Sequence, residues 1–322
     1  MPAPRILLVK LSSLGDVVHL LPAVTDLAER MPHAHIAWAV EPPYASLVRL
    51  HPAVARAIPV PLRALRDRPY SPHAWRALRA CRSTLREERW DYVVDAQGLI
   101  KSGCVARWAR APVFGPDARS ARERIAARFY DVKLAVPRGR HAVERNRTLL
   151  AAVFGQSIAT ASSYGLVAPG ERPPWAPAAR YAVMLHAASR AAKRWPDERW
   201  IALGRRMAEG GYALVFPGGD DGERAHAARL AAGIGPAAMA APAMPLLEAA
   251  ALLAHAAGVV GVDTGLTHLA VALGTPTVGI YSATSPALTG LHGEHALNLG
   301  APGAPPRVED VAQAIGIAPV PA

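Results

Sequence analysis

Asp16 is the residue from which the chemistry of this chain is best read. It sits in Lys10-Leu11-Ser12-Ser13-Leu14-Gly15-Asp16-Val17-Val18-His19, between the apolar run Ile6-Leu7-Leu8-Val9 and a stretch of helical period. A strand that empties into such a loop and then a helix sets two hydroxyls, a glycine and one carboxylate at a strand's carboxyl end. Open α/β sheets bind their ligands there. A carboxylate so placed can take a proton from a substrate hydroxyl, which makes Asp16 a candidate base. Gly15 lets a substrate approach the backbone closely. The competing reading is a plain helix N-cap, a position that favours Asp. Ser12 and Ser13 are alternative caps that would leave Asp16 spare. The loop has no G-x-G-x-x-G and is not a dinucleotide fingerprint.

Three later loops carry related chemistry. Val262-Asp263-Thr264-Gly265-Leu266-Thr267-His268-Leu269 again passes from a strand through a carboxylate, a hydroxyl and a glycine into a helix. Its free N–H groups and dipole suit a phosphate or diphosphate. Asp263 then orients the loop or meets a sugar hydroxyl, while a plain capped helix explains the same spacing equally well. His186 to Pro196 holds Ser189, Arg190, Lys193 and Arg194. Lys193 and Ser189 suit phosphate oxygens, against the alternative of a solvated basic loop. In Pro217-Gly218-Gly219-Asp220-Asp221-Gly222-Glu223, Glu223 can accept from a ribose, although an exposed turn is the default. Asp220-Asp221 is not the Asp-x-Asp of metal-dependent sugar transferases, and no metal is expected.

Basic residues cluster in the first half: Arg63, Arg66 and Arg68; Arg119, Arg122, Arg124 and Arg128; Arg138, Arg140, His141, Arg145 and Arg147. Such runs ordinarily mark a solvated surface. Their position beside the Asp16 loop points instead to an acidic acceptor. They lack interleaved aromatic platforms, so nucleic acid is not the expected partner.

The elements that must position these loops alternate between short β-branched runs and longer helical patterns. Strands are predicted at 6–10, 35–40, 57–60, 92–95 and 113–115, with helices at 17–30, 73–89, 99–108 and 141–154. Pro22 falls inside the first helix and kinks or restarts it. A Pro-rich stretch without periodicity, 168–177, reads as part of an interdomain linker. Strands are then predicted at 181–186, 212–217, 259–262 and 277–281, and helices at 197–209, 223–232, 246–257, 264–273 and 308–315. The alternation predicts parallel strands with crossover helices. The expected product is two doubly wound domains facing a central cleft, spanning 1–165 and 181–322 and joined by a linker at 166–180.

Composition sets the outer limits. The 322 residues are 51% hydrophobic, enough for two cores, and carry a net charge of +11. That balance favours an anionic partner. The abundance of Ala, Arg and Pro also fits codon bias, so only local basic clusters are informative. The two cysteines, Cys81 and Cys104, form no C-x-x-C and read as free thiols in a reducing compartment. No secretory signal is visible, and the most apolar stretch, 249–262, is too short to span a bilayer. A cytosolic protein adsorbed to a membrane through its basic face is the expectation.

Taken together, Lys10-x-Ser12-Ser13-x-Gly15-Asp16-Val17-x-His19-x-x-Pro22-Ala23, Asp95-Ala96-Gln97-Gly98-Leu99-x-Lys101-Ser102, His141-Ala142-Val143-Glu144-Arg145 and Asp263-Thr264-Gly265-Leu266-Thr267-His268-Leu269 resemble the lipopolysaccharide heptosyltransferase I family over nearly the whole chain. The last motif marks the wider heptosyltransferases (glycosyltransferase family nine); the first three are more specific. The resemblance implies a GT-B fold of two Rossmann-like domains. It also implies inverting, metal-independent and cofactor-free transfer of L-glycero-D-manno-heptose from ADP-heptose to the first Kdo of Kdo2-lipid A. It places the enzyme in the cytoplasm, peripheral on the inner face of the inner membrane. By the same resemblance Asp16 is the base. Ser12, Ser13, Gly15, Ser189, Lys193, Glu223, Met244, Asp263, Thr264, Gly265, Leu266 and His268 fall on the donor side. On the acceptor side Arg63 and Arg66 match basic positions, Gln97 and Lys101 join them, and Arg68, Arg122 or Arg145 take up contacts that the interrupted cluster gives up. Ala188 stands where a Thr is expected, and Ala64 and Asp67 interrupt a denser basic cluster. A related transferase with another donor or acceptor, or a non-catalytic nucleotide-binding protein, are the other readings.

Overall fold

The computed structural model describes residues 3–158 and 161–316. It divides into two compact units, Met1–Val167 and Ala168–Ala322. The first contains strands β1 (Arg5–Val9), β2 (His35–Val40), β3 (Val54–Pro59), β4 (Tyr92–Asp95), β5 (Val113–Pro116) and β6 (Val132–Leu134). They pair in parallel in the order β3-β2-β1-β4-β5-β6. The second contains β7 (Tyr181–Leu185), β8 (Ala213–Phe216), β9 (Ala238–Ala240), β10 (Gly258–Val262), β11 (Thr277–Tyr281) and β12 (Ala296–Gly300). Their order, β12-β11-β10-β7-β8-β9, is the same arrangement. In each unit the strand order reverses beside the first strand, between β1 and β4 and between β7 and β10. Crevices for ligands form at such points.

The helices of the first unit are α1 (Leu14–Val18), α2 (Leu21–Arg30), α3 (Ala45–Val48), α4 (Leu62–Asp67), α5 (Pro72–Glu87), α6 (Ile100–Ala106) and α7 (Ala142–Phe154). Those of the second are α8 (Asp197–Glu209), α9 (Asp221–Ile234), α10 (Leu246–Ala254), α11 (Gly265–Ala272), α12 (Pro286–Thr289) and α13 (Val308–Ala314). The expected 17–30 helix is two helices. Pro22 lies in the first turn of α2, where no N–H is needed, so it restarts the helix rather than kinking it.

The central strands read as unbroken apolar runs because helices cover both faces. Every residue of β7, β10 and β11 is buried. Gly261 in β10 lets α11 close on the sheet: a Cβ there would collide with the side chains of Thr267 and Leu185. The strands that the sequence pattern does not reveal, β6, β9 and β12, are all sheet edges. Their residues are only partly covered, so no hydrophobic period marks them. One neighbour's ladder holds each in place.

Two core histidines set an acid limit on stability. His51 accepts from Ala53 N–H at 3.2 Å and lies 3.0 Å from Thr25 Oγ1; burial pushes its pKa down to about 4. Burial, and then nearby His226, push His186 down to about 4 as well. Unfolded, both rings protonate near 6.5. Their stabilising contribution is therefore complete above 6.5 and is lost as pH falls toward 4, by up to about 1.4 kcal/mol per pH unit for each ring. Urea midpoints measured from pH 7 to pH 4.5 should fall. His186→Phe should flatten that dependence, and an unchanged slope in this variant would rule out the ring as a source.

Candidate active site

Asp16 lies in the first turn of α1, directly beyond β1, with its side chain 27% exposed. Oδ2 accepts from Ser13 N–H at 3.1 Å and from Arg122 Nη1 at 3.0 Å. Among the described residues, no hydrogen bond to Oδ1 is recorded. Contrary to the expectation from sequence, Asp16 is therefore not spare. It closes the Ser13-x-x-Asp16 turn with one oxygen and presents the other. Burial pushes its pKa up, but Lys10, Arg122 and the Ser13 N–H outweigh burial and hold the carboxyl below its ordinary range. Lys10 is buried, with Nζ donating to Ala96 C=O at 2.7 Å and to Asn146 Oδ1 at 3.3 Å. Burial lowers its pKa, while Asp16 works in the opposite direction.

The expected acceptor residues divide into four kinds. Arg122 and Arg145 belong to the electrostatic surroundings of Lys10 and Asp16. Arg122 pairs with Asp16 directly and is 55% exposed; Arg145 Nη2 donates to Ser120 C=O at 3.2 Å. Arg63, Arg66 and Arg68 lie exposed on and just after α4, and Arg66 pairs with Asp67. Gln97 departs from the expectation. Only 4% exposed, it spends its side-chain amide on the backbone of Leu11 and Ser12, so it is not an accessible acceptor contact. Lys101 donates to Ser12 Oγ at 3.3 Å. Ser12, Ser13 and Gly15, expected on the donor side, all lie on the Asp16 loop, where Ser12 is buried and already bonded.

In the second unit a cavity of about 240 Å³ opens at the carboxyl ends of β7, β8 and β10. It is lined by Ala188, Ser189, Gly219, Glu223, Thr264 and Leu266, among others. A second hollow of about 610 Å³ shares Ser189 and Glu223 and adds Arg194, His226 and Arg229. Asp263, 9% exposed, holds Lys193 Nζ at 2.6 Å and Thr284 Oγ1 at 2.6 Å on Oδ2, with His268 Nε2 3.3 Å from Oδ1. Burial opposes its ionisation, but these three partners hold the carboxyl far below the ordinary range. Asp263 thus orients Lys193 and the start of α11, where Gly265 opens the helix. Glu223 accepts from Gly219 N–H at 2.7 Å through Oε2. Met244 lies half-buried in the loop after β9 and lines neither hollow.

The match to known proteins decides the family. The model of glycosyltransferase family 9 (heptosyltransferase) matches residues 78–313. The chain is 42% identical over 306 residues to lipopolysaccharide heptosyltransferase 1 of Pseudomonas aeruginosa, covering 92% of this chain and 83% of that one. This chain belongs to glycosyltransferase family 9. To lipopolysaccharide heptosyltransferase 1 of Escherichia coli K12 this family 9 chain is 39% identical over 300 residues, 92% of its own length and 94% of that protein's. The structure of the E. coli heptosyltransferase WaaC with ADP superimposes with a TM-score of 0.87 at 37% identity, over 97% of this chain and 99% of that one. The family 9 chain is accordingly an enzyme, a glycosyltransferase with two Rossmann-like units of the GT-B type.

Sequence reasoning does not single out two polar residues that bond to candidate site residues of this glycosyltransferase, Thr284 to Asp263 and Glu41 to Arg63. Thr284 follows the end of β11, in the hydroxyl-rich run Ser282-Ala283-Thr284-Ser285. Glu41 follows the end of β2; it is buried, and Oε1 accepts from Arg63 N–H at 3.1 Å. Burial raises its pKa against that bond and nearby cations. Both stand at strand carboxyl ends, the positional rule that found Asp16 and Asp263. Among the described residues, no group of three or more His, Cys, Asp or Glu is arranged to hold a metal, and no helix is long and apolar enough to cross a membrane.

Proposed function

We propose that this enzyme transfers L-glycero-D-manno-heptose from ADP-heptose to the first Kdo of Kdo2-lipid A, inverting the anomeric centre and using no metal. The observation that carries the mechanism is the Asp16 carboxylate, kept ionised by Lys10 and Arg122 while one oxygen stays open. In the proposed step, Asp16 Oδ1 takes the proton of a Kdo hydroxyl as that oxygen bonds to the heptose anomeric carbon. The bond from that carbon to the diphosphate breaks, and its electron pair leaves with ADP. A base held below the ordinary carboxylate range accepts the proton late, once the new bond has made the hydroxyl acidic. Arg122, exposed beside Asp16, supplies a guanidinium for the acceptor's carboxylate. Lys193, Ser189 and the N–H groups opening α11 meet the charge on the leaving diphosphate. The reading requires the Asp16 loop and the Lys193–Asp263 loops to act on one pair of substrates, with the donor in the hollow below Ser189 and Glu223.

The acceptor's lipid anchor requires work at a membrane surface, which the reading places on the cytoplasmic face of the inner membrane. In support, α4, α5 and their connection carry exposed Arg66, Arg68, Arg76 and Arg79, together with Tyr70 (95% exposed) and Trp75 (48%). Basic side chains near anionic lipid contribute about 1 kcal/mol each, and Tyr and Trp favour the interface. A related heptosyltransferase with another acceptor is the second reading. It draws on Ala64 and on the pairing of Arg66 with Asp67 within α4. Incubating the enzyme with ADP-heptose, Kdo2-lipid A and excess chelator, then weighing the lipid, tests the proposal. The expected mass gain is one heptose. A gain that requires added divalent metal would sink the metal-free mechanism, and a gain only with other acceptors would favour the second reading.

A further inference from the structure

Gln97 makes contacts that point inward, to the chain that carries Asp16. The β1 ladder ends at Val9, opposite Asp95 on one side and Ala39 on the other. Beyond it the backbone of Lys10, Leu11 and Ser12 must find other partners before α1 begins. Lys10 C=O accepts from the Trp38 indole at 3.1 Å, and Leu11 C=O from Glu41 N–H at 3.0 Å. Lys10 N–H donates to Ala39 C=O at 3.2 Å, and Gln97 makes two further contacts: Oε1 accepts from Leu11 N–H at 2.7 Å, and Nε2 donates to Ser12 C=O at 2.8 Å. One side-chain amide thus extends the β1–β4 pairing into the loop.

Gln97 is itself fixed from below. Asp95, fully buried at the end of β4, accepts from Gln97 N–H at 2.8 Å and Gly98 N–H at 3.2 Å on Oδ1. Its Oδ2 accepts from Ser102 Oγ at 2.8 Å and Tyr130 OH at 2.7 Å. A buried carboxyl with four donors, two from the turn itself and one each from Ser102 and Tyr130, makes a rigid support for the turn. Ser13, whose N–H holds Asp16 Oδ2, is the next residue after the clamped Ser12.

We propose that Gln97 is a positioning residue for transfer. It fixes the Leu11–Ser12 backbone so that Ser13 N–H keeps its bond to Asp16 and the open oxygen keeps its aim. The inference rests on Asp16 being the base. A displacement of about 1 Å at a reacting group costs up to roughly 100-fold in rate.

The test compares Gln97→Ala and Gln97→Glu with the parent enzyme. Gln97→Ala should lower kcat by about 10- to 100-fold at every pH, with KM for ADP-heptose unchanged. Gln97→Glu still accepts from Leu11 but, when ionised, sets an oxygen against Ser12 C=O; burial at this 4% exposed position and the neighbouring Asp95 favour its protonated form, which restores a donor. Its kcat deficit should shrink as pH falls from 8 to 5.5, a range over which Asp16 stays ionised. In an Asp16→Ala background, Gln97→Ala should cause little further loss, because both changes act through one group. Amide hydrogen exchange over residues 11–16 should quicken in Gln97→Ala. This last readout needs no substrate, so it stands even if the assigned reaction is wrong. Three results would overturn the proposal: parental kcat with a raised acceptor KM in Gln97→Ala, a full additional loss on top of Asp16→Ala, or unchanged exchange over 11–16. If Gln97→Ala does not fold, a pH-independent deficit in Gln97→Glu would also overturn it.

Discussion

Asp16→Asn should lower single-turnover transfer by about 10²- to 10⁴-fold while leaving ADP-heptose binding near its parental value. The substitution keeps the side-chain shape, and its amide oxygen can still accept from Ser13 N–H, which ends at Asp16 Oδ2 in the parent. What disappears is the capacity to take a proton, together with the charge that draws Arg122 to 3.0 Å. The proposed donor pocket lies in the other unit, lined by Ser189, Glu223 and Thr264, so donor affinity measured by calorimetry is the control. The parent's pH profile is the second check. Lys10 and Arg122 hold Asp16 below the ordinary carboxylate range, so the base is ionised above that range and is lost only as pH falls through its lowered pKa. The rate should therefore stay flat from neutrality down to about pH 5. A Asp16→Asn enzyme with parental single-turnover rates would remove the base from the mechanism.

Lys193→Ala should weaken ADP binding by about 10- to 100-fold, because a hydrogen bond to a charged group contributes roughly 1.5–3 kcal/mol. An ammonium has three N–H donors. Asp263 takes one through Oδ2 at 2.6 Å and a second through its carbonyl at 3.4 Å, which leaves one for a ligand oxygen. The alanine variant also leaves Asp263 to His268 and Thr284 alone, so the start of α11 loses a tether as well as a cation. Lys193→Arg separates these effects: it keeps the charge and shifts its position. Calorimetric titration with ADP reads both variants, and acceptor KM should not move. Unchanged ADP affinity in Lys193→Ala would mean that the diphosphate is held elsewhere.

The parts of this architecture that local pattern reveals are those whose cause is local. Apolar runs covered on both faces disclosed β1, β7, β10 and β11. The rule that ligands gather at strand carboxyl ends pointed to Asp16, Ser189, Lys193 and Asp263, and the structure places all four after strand ends. The edge strands β6, β9 and β12 stayed hidden because pairing, not burial, makes them. Two roles stayed hidden because they depend on residues far apart in the chain. Gln97 reads as a polar residue near an acceptor site until Leu11, 86 positions away, comes within 2.7 Å. Lys193 and Thr284 meet on Asp263 from loops after different strands. The part of Asp16 in its own helix turn was available earlier: Ser13-x-x-Asp16 is a capping-box spacing, and a capping residue can still present one oxygen.

Both units use the same strand order, and each sets its candidate residues beyond the ends of its own adjacent strand pair: β1 and β4 for Asp16 and Gln97, β7 and β10 for Lys193 and Asp263. On the proposed assignment of roles, acceptor preference and nucleotide preference are separate inheritances. Mutations can accumulate in one half without remaking the other, so a lineage can change what it decorates while keeping the sugar it delivers.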